Sequence, residues 1–301
     1  MENIVEINHL AKKYKKFSAL NDINIHIPKG SIYGLIGKNG AGKTTLIRVI
    51  CGLQKPNNGE YTIYGIKNND KEIAKVRKRI GAIIETPAIY ENLSAIDNIK
   101  EQFILLGMPS LDNALELLEL VGLNHTGKKK VGKFSLGMRQ RLGIAMALVG
   151  NPDILILDEP VNGLDPEGII EIRELILKLN HEKNITFLIS SHYLDELSKI
   201  ATHYCFIDKG NTIKEISAKD LSSKMKKKIE IKVKDVKAYV TYLTENEYDF
   251  DVVDNYTINV FGNVSLTKLL SDLIKNNLEV ESIREIEETL ENYFLNLVGG
   301  E

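Results

Sequence analysis

The residues best able to do chemistry stand in two short runs. Gly37-Lys38-Asn39-Gly40-Ala41-Gly42-Lys43-Thr44, with Thr45 behind it, fits G-x-x-x-x-G-K-[ST]. Glycines so spaced let successive backbone N–H groups wrap phosphate oxygens at the start of a helix. Lys43 would reach the outer phosphates, and Thr44 would offer its hydroxyl to a divalent cation that bridges them. Taken alone, the same residues also fit an ordinary strand-to-helix turn. The second run, Ile154-Leu155-Ile156-Leu157-Asp158-Glu159, sets two carboxylates at the end of a buried strand, where open α/β sheets place their ligands. Asp158 would hold the cation, directly or through water. Glu159 would polarise an attacking water, a task that needs an acceptor within hydrogen-bond reach of it. The plainer alternative is an acidic pair that caps the turn before Pro160.

The surrounding pattern supplies elements to position these groups. A short apolar strand over 31–36 feeds the Gly-rich turn, and a helix follows from about Lys43 to Cys51, ending at Gly52 before Pro56. Residues 5–10 and 21–27 alternate as strands of an opening antiparallel sheet, with the Lys-rich stretch 12–16 as their connection. Helical spacing dominates 93–149, as with Leu115, Leu118 and Val121, which predicts an all-helical insertion. Apolar runs at 154–157 and 185–189 then read as buried parallel strands, joined by an amphipathic helix over 167–179. The fold class is therefore α/β: an antiparallel part, a parallel-sheet core and a helical subdomain within a domain of residues 1–220. Composition changes after Ala218, and the solvated charge run 224–228 marks a boundary. Beyond it, 229–301 forms a smaller α+β domain. Strands at 229–233, 250–253, 258–261 and 280–286, with helices near 236–243 and 266–274, follow an order compatible with a ferredoxin-like fold.

The whole chain narrows the function classes. It has 301 residues, 43% apolar and 27% charged, and its formal charge of −2 gives no footprint for nucleic acid. Cys51 and Cys205, each in a segment of helix or strand character, fit reduced core thiols of a cytosolic protein, and no metal-ligand spacing links them. The N-terminal residues lack a signal-type apolar stretch, and no apolar run is long enough to span a bilayer. The expectation is a soluble chain that reaches a membrane only through a partner.

Between the two chemical runs lies Phe134-Ser135-Leu136-Gly137-Met138-Arg139-Gln140-Arg141, which resembles the signature of ABC ATPases. In that family this sequence opens a helix whose N-terminus and serine face the γ-phosphate of ATP held by a second subunit. The resemblance implies phosphate-facing roles for Ser135, Gly137 and Met138, although the usual second glycine and glutamine are Leu136 and Met138 here. Without it, Ser135 is a helix N-cap, a role that can coexist. Gly163-Leu164-Asp165-Pro166 is similar to the loop that communicates across the dimer, with Asp165 near nucleotide, and Ser191-His192 to the switch histidine. Tyr14 resembles the aromatic on which adenine stacks; alone it would be a packed strand-end residue. The resemblance covers about 4–217 and implies ATP and Mg²⁺ as ligands, with Lys43, Glu159 and His192 catalytic. It also implies a homodimer, or a pair with a related ATPase, seated through separate transmembrane permease subunits on the cytoplasmic face of the cell membrane.

Glu85 stands where most ABC ATPases carry glutamine, and the resemblance adds it to Thr44 and Asp158 as a metal ligand. Glutamate there, together with the Ser-Leu-Gly-Met signature, is similar to the ATPases of bacitracin- and lantibiotic-resistance exporters. The tail 288–297, with Tyr293 and Phe294, is also similar to that group, and equally fits an amphipathic helix closing the second domain. An ABC ATPase with another cargo, and a soluble or sensory ABC protein, are the competing functions.

Overall fold

Period-two burial builds the first part of the molecule. In the computed structural model, which describes residues 2–108, 110–225, 227–262 and 264–299, β1 (Asn3–Tyr14) and β2 (Phe17–Pro28) form one long hairpin. Val5, Ile7 and Leu10 on β1 and Ile23, Ile25 and Ile27 on β2 are buried. The Lys-rich stretch expected as a connection is mostly strand: pairing continues to Tyr14 opposite Phe17, and Lys15 and Lys16 alone make the turn. Lysine side chains that point to solvent leave the main-chain ladder intact, so charge by itself does not end a strand.

The chain continues through β3 (Ile32–Ile36), α1 (Lys43–Ile50), β4 (Asn58–Ile63), β5 (Ile66–Lys67), α2 (Ile73–Arg77), β6 (Ile80–Ile83), α3 (Ala95–Leu105), α4 (Ala114–Leu120) and α5 (Leu136–Ala147). Then come β7 (Ile154–Asp158), α6 (Pro166–Lys183), β8 (Thr186–Ser191), α7 (Leu194–Ser198), β9 (His203–Asp208) and β10 (Asn211–Ser217). Their strands make a ten-stranded sheet in the order β5-β4-β1-β2-β10-β9-β3-β8-β7-β6. From β9 through β3, β8 and β7 to β6 every neighbour is parallel. The C-terminal ends of these strands consequently share one edge, where Gly37, Glu85, Glu159 and His192 emerge. Every residue of β3, β7 and β8 is buried, as a sheet covered on both faces requires. Helices α3, α4 and α5 pack on one another as the helical insertion.

The antiparallel part meets the core at β2 and β10, where Asn211 opposite Asp22 is the paired position. Side chains close the rest of that seam. Asn24 N donates to Thr212 Oγ1 at 3.0 Å and His26 N to Glu215 Oε1 at 2.7 Å, while the fully buried Tyr33 hydroxyl also donates to Glu215.

The chain divides into two compact units, Met1–Ala218 and Lys219–Glu301. After α8 (Ala218–Lys224) come β11 (Lys227–Lys232), α9 (Lys237–Glu245), β12 (Phe250–Val252), β13 (Thr257–Phe261), α10 (Leu266–Lys275), β14 (Ser282–Glu287) and α11 (Leu290–Gly299). The second sheet runs β12-β13-β11-β14 with antiparallel neighbours, and Ile229, Ile231, Ile258 and Val260 meet Tyr239, Leu243, Leu269 and Leu273 of the helices in its core. From β11 to β14 the succession β-α-β-β-α-β is that of the ferredoxin-like motif.

Candidate functional site

The loop between β3 and α1 is a cradle because two of its glycines, Gly40 and Gly42, take backbone conformations that other residues rarely adopt. Gly40 has φ 81 and open space beside it. Gly42, the N-cap of α1, has φ 110, and a Cβ there would lie 2.6 Å from the Ala19 carbonyl oxygen. Residues 38–45, with Phe17, Ala19 and Glu159, line an open cavity of about 260 Å³. Free N–H groups at the first turn of α1 favour an anion at this position.

Side chains from two neighbouring strand ends converge beside the cradle. Lys43, only 7% exposed, donates from Nζ to Gly37 O at 2.7 Å and lies 3.6 Å from Glu159 Oε1. Thr44 Oγ1 donates to Asp158 Oδ2 at 2.8 Å. Asp158 ends β7 and is 1% exposed; its other oxygen accepts from Ser190 Oγ on β8. Glu159 is the next residue, with φ 52, and its N–H is satisfied by Ser190 Oγ at 3.1 Å. That turn swings Glu159 away from the strand axis, so that Oε2 meets His192 Nδ1 at 2.7 Å and His192 N at 3.2 Å. Lys43, Thr44, Asp158, Glu159 and His192, far apart in sequence, therefore form one connected group.

The donor set suits magnesium. The Thr44 hydroxyl and the Asp158 carboxylate are adjacent hard oxygens beside a phosphate cradle, and Mg²⁺ typically takes one or two carboxylates plus substrate phosphates rather than an all-protein cage. The described residues contain no group of three or more His, Cys, Asp or Glu side chains able to hold a metal. No hydrogen bond or ion pair among the described residues links Glu85 to Thr44 or Asp158. Glu85 follows β6 with φ 63, and its Oε1 pairs with Arg48 Nη2 at 2.8 Å on the last turn of α1.

Other expected site residues lie apart from the cradle. Ser135 caps α5, its Oγ accepting from Met138 N at 3.2 Å, and Gly137 sits in the same first turn; neither lines the cavity. Asp165 caps α6 by accepting from Gly168 N at 3.1 Å, with Pro166 at the first helical position. Tyr14 is also outside the lining, its hydroxyl donating to Gln54 and Lys12 Nζ lying 5.2 Å from its ring centre. The aromatic on the cavity lip is Phe17, 61% exposed, which the sequence reading missed although it stands directly across the hairpin turn from Tyr14.

A phosphate cradle, a buried carboxylate bonded to its threonine and a histidine-held glutamate beside its lysine define a nucleoside triphosphatase of the phosphate-loop class. The ABC transporter family model matches residues 20–162. The chain is 41% identical to the bacitracin transport ATP-binding protein BcrA of Bacillus licheniformis, across 100% of this chain and 99% of that protein. It is 45% identical to the lantibiotic transport ATP-binding protein SrtF of Streptococcus pyogenes, over 70% of this chain and 90% of that one. Among solved structures, a cassette of Clostridium perfringens, part of the ABC transporter complex cbiONQ, matches with a TM-score of 0.67 and 27% identity, over 74% of this chain and 92% of that chain. A dimeric ATP-binding cassette in a post-hydrolysis state with ADP and Pi matches at 0.64 and 28% identity, over 71% and 98%. The chain belongs to the ABC transporter family as an ATP-binding and ATP-hydrolysing subunit. No helix among its described residues is long and apolar enough to cross a membrane.

Proposed function

We propose that this chain powers export of a peptide antibiotic of the bacitracin or lantibiotic type, as one of two ATPase copies seated on separate transmembrane permease subunits. What carries the cargo class is the similarity to the bacitracin transport protein along the whole of both chains, the second unit included. On this reading the subunit sits at the cytoplasmic face of the membrane through its permease.

The site residues take their roles from their chemistry. The N–H groups of 38–45 bind the phosphates of ATP, and Lys43, already aimed into the loop, supplies the positive charge nearest the outer ones. Thr44 and Asp158 would hold Mg²⁺, which would supply positive charge to offset the charge that develops in transfer. Glu159 is the base that orients the attacking water. Both His192 contacts fall on Oε2, which leaves Oε1, the oxygen facing Lys43, to accept from water. His192 fixes the carboxylate's orientation.

Ser135, Gly137 and Met138, at the N-terminus of α5, do not line their own chain's cavity; on this reading they act on the ATP of the second copy, with Asp165 at the loop between the two sites. Phe17, on the lip of the cradle, is the aromatic placed to meet the base. Cells that carry this chain with the polytopic proteins encoded beside it should survive bacitracin or a lantibiotic, and lose that survival with Glu159→Gln. Equal survival with the wild-type and Glu159→Gln chains at equal expression would overturn the export role.

A further inference from the structure

The segment 85–91 leaves the end of β6 and is held at both ends by opposite charges. At one end is the Glu85 to Arg48 pair, which ties it to α1, the helix that begins at Lys43. At the other, Arg139 Nη1 donates to Glu91 Oε1 at 2.8 Å, and Arg139 lies in the first turns of α5, the helix capped by Ser135. This second contact is one side of a closed triangle. Gly132 N donates to Glu91 O at 2.8 Å, and Arg139 Nη2 donates to Gly132 O at 3.0 Å. A Cβ at position 132 would lie 3.2 Å from the same Glu91 oxygen, a tight contact that would make the strap shift by a few tenths of an ångström. Arg139 Nε is buried without an acceptor among the described residues, so the Glu91 and Gly132 oxygens hold the guanidinium.

The segment is anchored further on its far side. Val131 N donates to Leu93 O at 2.9 Å, and the fully buried Asn98 ties down Tyr90 by accepting from its N–H at 2.7 Å and donating to its carbonyl at 3.0 Å. A single strap therefore joins the helix that opens at the phosphate loop to the helix that opens at Ser135, with a charge pair at each junction.

We propose that Glu91 and Arg139 are positioning residues for ATP hydrolysis, setting the angle of the signature helix relative to the phosphate-loop helix through the strap 85–91. The proposal rests on the reading of Ser135 as a phosphate-facing group. Neither residue touches nucleotide. Glu85 is 61% and Glu91 63% exposed, so each pair is worth at most about a fivefold change in an equilibrium, about 1 kcal/mol for an exposed pair. A junction of that strength holds one arrangement and still opens within a catalytic cycle. Breaking it leaves the loop 37–44 intact and loosens the aim of Ser135, so turnover falls while ATP affinity holds.

The experiment uses the purified full-length chain, with a fluorescent ATP analogue for affinity, steady-state phosphate release for kcat and KM, and thermal melting. Glu91→Gln should lower kcat about two- to fivefold with affinity unchanged within about twofold. Arg139→Gln should match it, and the swap Glu91→Arg with Arg139→Glu should restore most of the loss. Arg139→Lys keeps the charge but loses the fork that also reaches Gly132 O, and should fall between wild type and Arg139→Gln even if the swap does not fold. Unchanged kcat in Glu91→Gln, or affinity falling in step with kcat, would overturn the positioning role. Failure of the functional reading would show differently, as a wild-type chain that neither binds nor hydrolyses ATP.

Discussion

Glu159→Gln exchanges an acceptor for an amide of the same size at a point fixed by three contacts. The carbonyl oxygen of glutamine can keep both His192 contacts now made by Oε2, at 2.7 and 3.2 Å. Its NH₂ then occupies the Oε1 position that faces Lys43 at 3.6 Å and, by the proposed mechanism, the attacking water. An amide there donates and cannot take up a proton, so the general-base contribution is lost, a fall of about 10²- to 10⁴-fold in kcat. Binding should respond in the opposite direction. Lys43 keeps its bond to Gly37 O at 2.7 Å but loses a neighbouring negative charge, so its attraction for phosphate is less offset. Affinity for MgATP should stay level or rise, by no more than about fivefold for one partly exposed pair. Phosphate release gives the rate, calorimetry gives the affinity, and size-exclusion chromatography with ATP shows whether the bound state accumulates as a dimer. Turnover within about threefold of wild type would refute the assignment of Glu159 as base.

Other substitutions probe separate parts of the account. Lys43→Ala should abolish measurable ATP binding in calorimetry, since it removes the charge aimed into the cradle while the glycine conformations that shape the loop persist. Glu215→Ala should lower unfolding free energy by about 2 kcal/mol in urea titration, because it strands the buried Tyr33 hydroxyl and opens the seam at His26. Cys51, whose thiol burial pushes up to about 12, should carry on the order of a thousandfold less thiolate at pH 8 than an ordinary thiol and resist alkylation until denaturant is added.

Much of the site was legible in sequence because its chemistry is local. The cradle is one uninterrupted run, and Asp158 and Glu159 directly follow a strand whose apolar continuity marks it as buried. His192 owes its place to the parallel pairing of β7 with β8, which aligns Asp158 with Ser190 across a gap no local pattern reveals, so family resemblance carried it. Glu85 shows the opposite case. Family resemblance alone makes it a metal ligand, and the partner it has in the structure, Arg48, is one that no local pattern shows. The choice between Tyr14 and Phe17 likewise turns on the pleat and register of the first hairpin rather than on aromatic character. Strands β9 and β10 were passed over. Lys214 and Glu215 interrupt the apolar alternation of β10, and β9 is one short buried run whose partners are distant in sequence. Their place beside β3 and β2 came only from the sheet itself.

The central claim is that each working site combines Lys43, Asp158 and Glu159 of one copy with Ser135 of another. Two variants, Lys43→Ala and Ser135→Arg, should each be inactive alone, the first without ATP binding and the second without closure on the phosphates. Mixed in equal amounts, half of the dimers should be hybrid, and each hybrid holds one site with Lys43 and Ser135 both intact. Phosphate release by the mixture is predicted to recover to about a quarter of the wild-type rate at equal chain concentration, by the symmetry of a two-fold dimer. A mixture no more active than the two variants measured separately would contradict the shared site.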